Sequence, residues 1–231
     1  MSIRVRYEQE LKHVYDTLIL MCRQIESAIE NSIKALIDRD ADLAQEVYEG
    51  DVEINRLERD IEKRCLKILL LQHPVASDFR EVSATLKMVT DLERIGDQAR
   101  DIANIIMQFG DEEYCKKLEH IPQMALIVTQ MVSDGVKSLI DRDLELARSL
   151  ETTDDKVDAL FKIIKRELIE LIQKNPDIAE QAILFLMISK YLERIGDHAI
   201  NIGEWVEYAI TGKHVVKRWS KNGNGNGGLK T

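Results

Sequence analysis

Proline and glycine are scarce in this sequence, at three and eleven of 231 residues, and four of the glycines (Gly223, Gly225, Gly227 and Gly228) crowd its last nine positions. So little punctuation makes helix the natural reading. Aromatic residues make up only 5% of the chain, leaving the core to aliphatic side chains. Cys22, Cys65 and Cys115 are odd in number, widely spaced and without a CxxC pair. They offer neither a disulfide framework nor a thiolate zinc site, and are expected as small core residues. No run approaches the roughly eighteen consecutive apolar residues of a membrane-spanning helix. The opening MSIRVRYEQELKHVYD is charged from its first turns and lacks an apolar secretion segment, so the expected location is the cytoplasm. Positive charge is also in deficit: 32 Lys and Arg against 41 Asp and Glu give a net charge of −9. Binding to nucleic acid or to an anionic bilayer depends on Lys and Arg neutralising phosphates, so neither is expected as a direct partner. Cations and other proteins are.

What is present in abundance is helical periodicity. Leu11, Val14, Leu18, Met21, Ile25, Ala28, Ser32 and Leu36 step by three or four with charge between them. Ile54, Leu57, Ile61, Cys65 and Ile68 form a second such stripe, and Val82, Leu86, Val89, Leu92, Ile95, Ala99, Ile102 and Ile106 a third. The pattern then repeats about one hundred residues later. SIKALIDRDADLA (Ser32 to Ala44) aligns with GVKSLIDRDLELA (Gly135 to Ala147), Ile54 to Leu57 with Val157 to Leu160, Pro74 with Pro176, and LERIGD at Leu92 with LERIGD at Leu192. The reading is all-α: two tandem repeats of a three-helix bundle related by a pseudo-twofold, with six long helices over 7–39, 41–71, 76–109, 115–141, 143–173 and 177–211. The repeats are expected to span 1–110 and 111–214. The Gly/Asn-rich tail, 215–231, has little to bury and is expected to be disordered.

The third helix of each repeat carries an acidic ladder. Turning about 100° per residue from Leu92 places Ile95, Ala99, Ile102 and Ile106 on one side and Glu93, Asp97 and Asp101 on the other. Glu193, Asp197 and Asn201 reproduce the ladder, and on the preceding helices Asp51 and Asn55 correspond to Asp154 and Asp158. Like charges four apart disfavour a helix by roughly 0.2–0.5 kcal/mol per pair, and a cation between the oxygens relieves this. Oxygen donors suit hard cations such as Mg²⁺, Ca²⁺, Mn²⁺ or iron over zinc or copper. His198 adjoins Asp197, but a lone His is more often satisfied in a core or at a surface. The plain alternative is that both ladders are solvent faces neutralised by Arg94, Arg100 and Arg194. Gly96 and Gly196 lie mid-helix beside the core face, where close approach of another helix is the expected reason.

LERIGDQARDIANI and YLERIGDHAINIGEWVEY, each preceded by an amphipathic helix with a D-x-x-[IV]-[ND]-x-L segment, resemble the PhoU family of phosphate-transport accessory proteins over residues 5 to 212. ASDFREV and VYEGDVEINRLE are similar to that family as well. The resemblance implies two three-helix bundles, a homodimer, and E/D-x-x-x-D motifs binding a divalent or trivalent metal, with iron clusters expected and Mn, Mg or Zn as alternatives. Carried over by position, one site is Glu93, Asp97 and Asp101 with Asn55, and the other Glu193, Asp197 and Asn201 with Asp154 and Asp158. Asp101 stands where the family commonly has Asn, and IANI where it often has NIAE, so the two sites are expected to differ in charge, nuclearity or affinity. The implied function is negative regulation of high-affinity phosphate uptake and of the phosphate-starvation response. It acts through the ATPase subunit of the phosphate ABC transporter and a phosphate-sensing histidine kinase, meeting the membrane only through these partners. No enzyme is expected: a ferritin-like di-iron site needs Glu-x-x-His pairs, whereas each motif Glu is followed three residues later by Gly. A metal-free helical adaptor is the alternative.

Overall fold

The computed structural model describes residues 3–71, 75–110 and 113–214. Six α-helices account for almost all of them: α1 (Ile3–Asp38), α2 (Ala41–Leu71), α3 (Ala76–Ile106), α4 (His120–Ile140), α5 (Leu144–Lys174) and α6 (Ala179–Thr211). No β-strand occurs among the described residues. Pro74 and the tail from 215 onward lie outside the described residues.

The repeated IDRD segment explains the first turn of each half. Arg39 and Arg142 both adopt a positive φ, 57° and 54°, which ends a helix by turning its last peptide back on itself. The backbone N–H of Asp40 donates to Ala35 O, and that of Asp143 to Ser138 O, both at 2.9 Å. The same two aspartates then cap the next helices. Asp40 Oδ1 accepts from the Leu43 N–H at 2.9 Å and Asp143 Oδ1 from the Leu146 N–H at 3.0 Å. One short segment therefore stops one helix and starts another, twice.

Several boundaries differ from the expected ones: α1 begins at Ile3 rather than 7, and α3 ends at Ile106 rather than 109. Helix α4 begins at His120 rather than near 115, because the residues before it anchor the connector instead of coiling. Tyr114 Oη donates to Leu36 O at 2.8 Å, the Cys115 N–H donates to Gln181 Oε1, and the Tyr114 ring packs between Phe109 and Phe185. Pro122 sits in the first turn of α4, where its missing N–H costs nothing. In the second half Pro176 opens a single 3-10 turn, Pro176–Ile178, that leads into α6. Helix α6 closes at Gly212, whose φ of 73° supplies the left-handed cap.

Each half is a three-helix bundle, with α2 laid on α1 and α3, and α5 on α4 and α6. The bundles do not stand apart. The most extensive packing between any two helices joins α3 to α6, α1 packs on α4, and the buried side chains of both halves form a single continuous core. Four helices (α1, α3, α4 and α6) thus make the inner layer, flanked by α2 and α5. This arrangement decides where the acidic ladders lie. Because α2 packs on α3, Glu93 and Asp97 lie on a flank that is only partly open to solvent, whereas on α6 Glu193 is partly covered and Asp197 is exposed.

Candidate metal centre

In the first half, the groove between α2 and α3 collects Asp51 and Asn55 from α2 and Glu93, Asp97 and Asp101 from α3. The Asp51 side chain is 8% exposed and that of Asp97 17%. A guanidinium sits among them. Arg100 Nη1 is 2.7 Å from Asp97 Oδ1 and 3.1 Å from Asp51 Oδ2, and its Nη2 is 3.3 Å from Asp101 Oδ1. Asn55 Nδ2 donates to Asp51 Oδ2 at 2.7 Å. Arg94, more exposed, reaches Asp97 at 3.4 Å and Glu93 at 3.5 Å. Burial raises the Asp51 carboxyl above its ordinary value, opposed by Arg100 and assisted by Asp97. Burial and then the Asp97 charge raise Glu93 in the same direction.

The second half repeats the acids without the guanidinium. Ile200 stands where the repeat has Arg100. Asp154, on α5, carries its carboxyl next to α6; its Oδ1 is buried and accepts no hydrogen bond. Burial, followed by the charges of Asp197, Asp158 and Glu193, pushes the Asp154 carboxyl up to about 6. Burial and Glu193 raise Asp197. The cations here are two lysines more than half exposed: Lys190, paired with Glu193, and Lys162, whose Nζ is 3.2 Å from Asp158 Oδ2. Gly196 is what admits the Asp154 carboxylate, since a Cβ there would run into Asp154 Oδ1. In the first half a Cβ at Gly96 would instead meet the Ile54 side chain at 3.0 Å. Both mid-helix glycines therefore serve close helix approach, but only the second does so for a carboxylate.

Two residues tied to the second ladder by sequence turn toward the other half of the molecule. The Asn201 amide donates to Asp91 Oδ1 at 3.2 Å, and His198 Nδ1 lies 2.9 Å from the same oxygen. Asp91 is on α3, so these contacts tie α6 to the first repeat. His198 is thus partnered in the interior of the fold. Asp91, which has Tyr191 at the matching place of the second repeat, carries no sequence signal for this role.

The two grooves fit a metal differently. Among the described residues, no group of three or more His, Cys, Asp and Glu side chains is already closed around a point where an ion could sit. In the second half the orphaned Asp154 oxygen, the glycine that accommodates it and the mutually repelling oxygen donors Asp158, Glu193 and Asp197 suit a hard cation. In the first half the same position is taken by the Arg100 guanidinium, and the residues do not fit a metal as they stand.

A six-helix, twice-repeated bundle with acidic grooves between its second and third and its fifth and sixth helices defines an all-α protein of two repeated units. The PhoU domain model matches residues 18–106 and again 121–206, and the chain belongs to the PhoU family. It is 34% identical over 210 residues to a phosphate-specific transport system accessory protein PhoU homolog of Clostridium acetobutylicum, covering 90% of this chain and 96% of that one. Another, from Thermotoga maritima, is 32% identical over 212 residues and covered to 91% on both sides. The crystal structure of PhoU from Pseudomonas aeruginosa superposes with a TM-score of 0.85 at 35% identity, covering 90% of this chain and all of that one. The phosphate transport system regulatory protein PhoU from Streptococcus pneumoniae superposes at 0.83 with 25% identity. The Clostridium and Thermotoga relatives are named as accessory proteins and the Streptococcus one as a regulatory protein, and none of the names denotes an enzyme.

Proposed function

We propose that the protein is a non-enzymatic regulator that restrains high-affinity phosphate uptake and the phosphate-starvation response. The observation that carries this reading is end-to-end similarity, in sequence and in fold, to proteins named as accessory or regulatory components of phosphate transport. It works in the cytoplasm, as a homodimer, through contacts with the ATPase subunit of the phosphate ABC transporter and with a phosphate-sensing histidine kinase. Among the described residues no helix is long and apolar enough to cross a membrane; the protein reaches the membrane through these partners.

The second half is the proposed metal centre. Asp154, Asp158, Glu193 and Asp197 would hold a divalent or trivalent cation, iron foremost and Mn, Mg or Zn as alternatives, with Asn201 near the ladder but engaged to Asp91. A bound cation would neutralise carboxylates that repel one another and stiffen the α5–α6 groove as a docking face. The guanidinium already seated in the first groove favours the metal-free adaptor reading for that half.

The test is complementation. In a bacterial strain deleted for its own PhoU, an alkaline phosphatase reporter stays on in phosphate-replete medium. Expression of this chain is expected to switch it off, and co-purification is expected to recover the transporter ATPase. A reporter that stays on despite stable, folded protein would remove the regulatory reading.

A further inference from the structure

The two repeats share their acidic ladders but differ in the cation that accompanies them. Position 100 is arginine in the first ladder, and its counterpart, position 200, is isoleucine. The arginine does not wave in solvent. Its side chain is 31% exposed, lies within salt-bridge distance of three carboxylates from two helices, and draws Asp51 on α2 toward Asp97 and Asp101 on α3. Those are the donors that a cation in this groove would use. A guanidinium offers five N–H donors in a fixed plane and stays charged throughout the physiological range, so it neutralises several carboxylates at once and is not displaced by deprotonation.

We infer that Arg100 is the resident cation of the first groove and bars metal from it, so that metal loading is confined to the second half. The inference rests on the metal reading above for the second half only, and its claim about the first half stands apart from that reading. A metal ion entering the α2–α3 groove has to expel a positive charge held by Asp51, Asp97 and Asp101. In the α5–α6 groove the charges to be displaced belong to two lysines more than half exposed, Lys162 on Asp158 and Lys190 on Glu193, while Ile200 is apolar and Asp154 Oδ1 has no hydrogen-bond partner. The first repeat thereby obtains permanently, from its own chain, the neutralisation that the second repeat would draw from solution. One half is structurally constant, and the other responds to metal supply.

The experiment uses the full chain stripped with chelator and titrated with Mn²⁺, with bound metal per chain read by elemental analysis after gel filtration and helicity checked by circular dichroism. In the wild type, Asp197→Asn is expected to abolish binding and Asp97→Asn to leave it unchanged. Arg100→Leu should double the manganese per chain, and the added half should vanish in the Arg100→Leu, Asp97→Asn double variant. Ile200→Arg is the reciprocal test and should remove metal from the second half, which keeps the question answerable if Arg100→Leu does not fold. Manganese lost from the wild type on Asp97→Asn, or no gain in folded Arg100→Leu, overturns the inference while leaving the second-half site standing. The opposite pattern, no metal in the wild type but binding created by Arg100→Leu, sinks the second-half site and upholds the role of Arg100.

Discussion

At the scale of single residues, the two grooves hold matched aspartates in unlike surroundings. Asp51 is buried beside a guanidinium, whereas Asp154 is partly buried among other acids. An aspartate whose folded pKa is raised to about 6 from 3.8 binds its proton more tightly in the folded state than in the unfolded one. Stability is therefore gained as pH falls through 6 and lost as it rises. For chelator-treated protein, the melting temperature is expected to climb as pH is lowered from about 7 to about 5. Asp154→Asn should raise the melting temperature at pH 7 and flatten that slope, and an unchanged profile in the variant would assign the slope to other groups. Gly196 and Gly203 make a second contrast. A Cβ at Gly203 would lie 2.7 Å from the backbone oxygen of Ala147, which cannot move aside, whereas at Gly196 it meets only a carboxylate that can rotate. Gly203→Ala should cost roughly 1–3 kcal/mol by chemical denaturation through overpacking. Gly196→Ala should cost little stability but displace Asp154 and lower metal content.

At the scale of the helix, the repeated IDRD segment is a compact instruction. Its arginine takes the left-handed turn and its second aspartate caps the following helix. Removing either cap, Asp40→Ala or Asp143→Ala, should cost about 1 kcal/mol in urea unfolding. Equal losses at the two sites are expected because both caps are exposed and bond the third residue on at nearly equal distance. The connector between α3 and α4 shows the limit of periodicity as a guide. Its sequence continues to supply apolar residues, yet Phe109 and Tyr114 are spent on a ring cluster with Phe185 rather than on another helical turn.

At the scale of the whole molecule, the contact of α3 with α6 makes one core of two repeats. The division into 1–110 and 111–214 describes ancestry of sequence; in the folded protein we propose a single cooperative unit. Calorimetry of metal-free protein is expected to show one transition whose van't Hoff and calorimetric enthalpies agree. Two separable transitions would instead mean that each bundle holds its own core. Phe185, fully buried on α6 and packed against Phe109 of the first half, is the sensitive point. Phe185→Ala should cost about 3–5 kcal/mol and destabilise both halves together. The pair formed by Asp91 with His198 and Asn201 joins the same two helices through polar contacts.

The helices and their repeat follow from the sequence alone, because burying a stripe of aliphatic residues every three or four positions leaves a chain so poor in proline and glycine little alternative to coiling. The same logic made Gly96 and Gly196 legible as close-approach sites. What periodicity could not decide is which helix covers the other side of α3 and α6. An angle around a helix axis says that Glu93 and Asp97 point away from Leu92, not that α2 lies there with Asp51, nor that Arg100 closes the gap between them. The turn of Asn201 and His198 toward Asp91 is equally a matter of how the repeats dock. Only the tertiary structure settled these, because a carboxylate's partners are set by groups brought near in space: burial raises the acids of both grooves, and in the first the α3 arginine, Arg100, opposes it at Asp51.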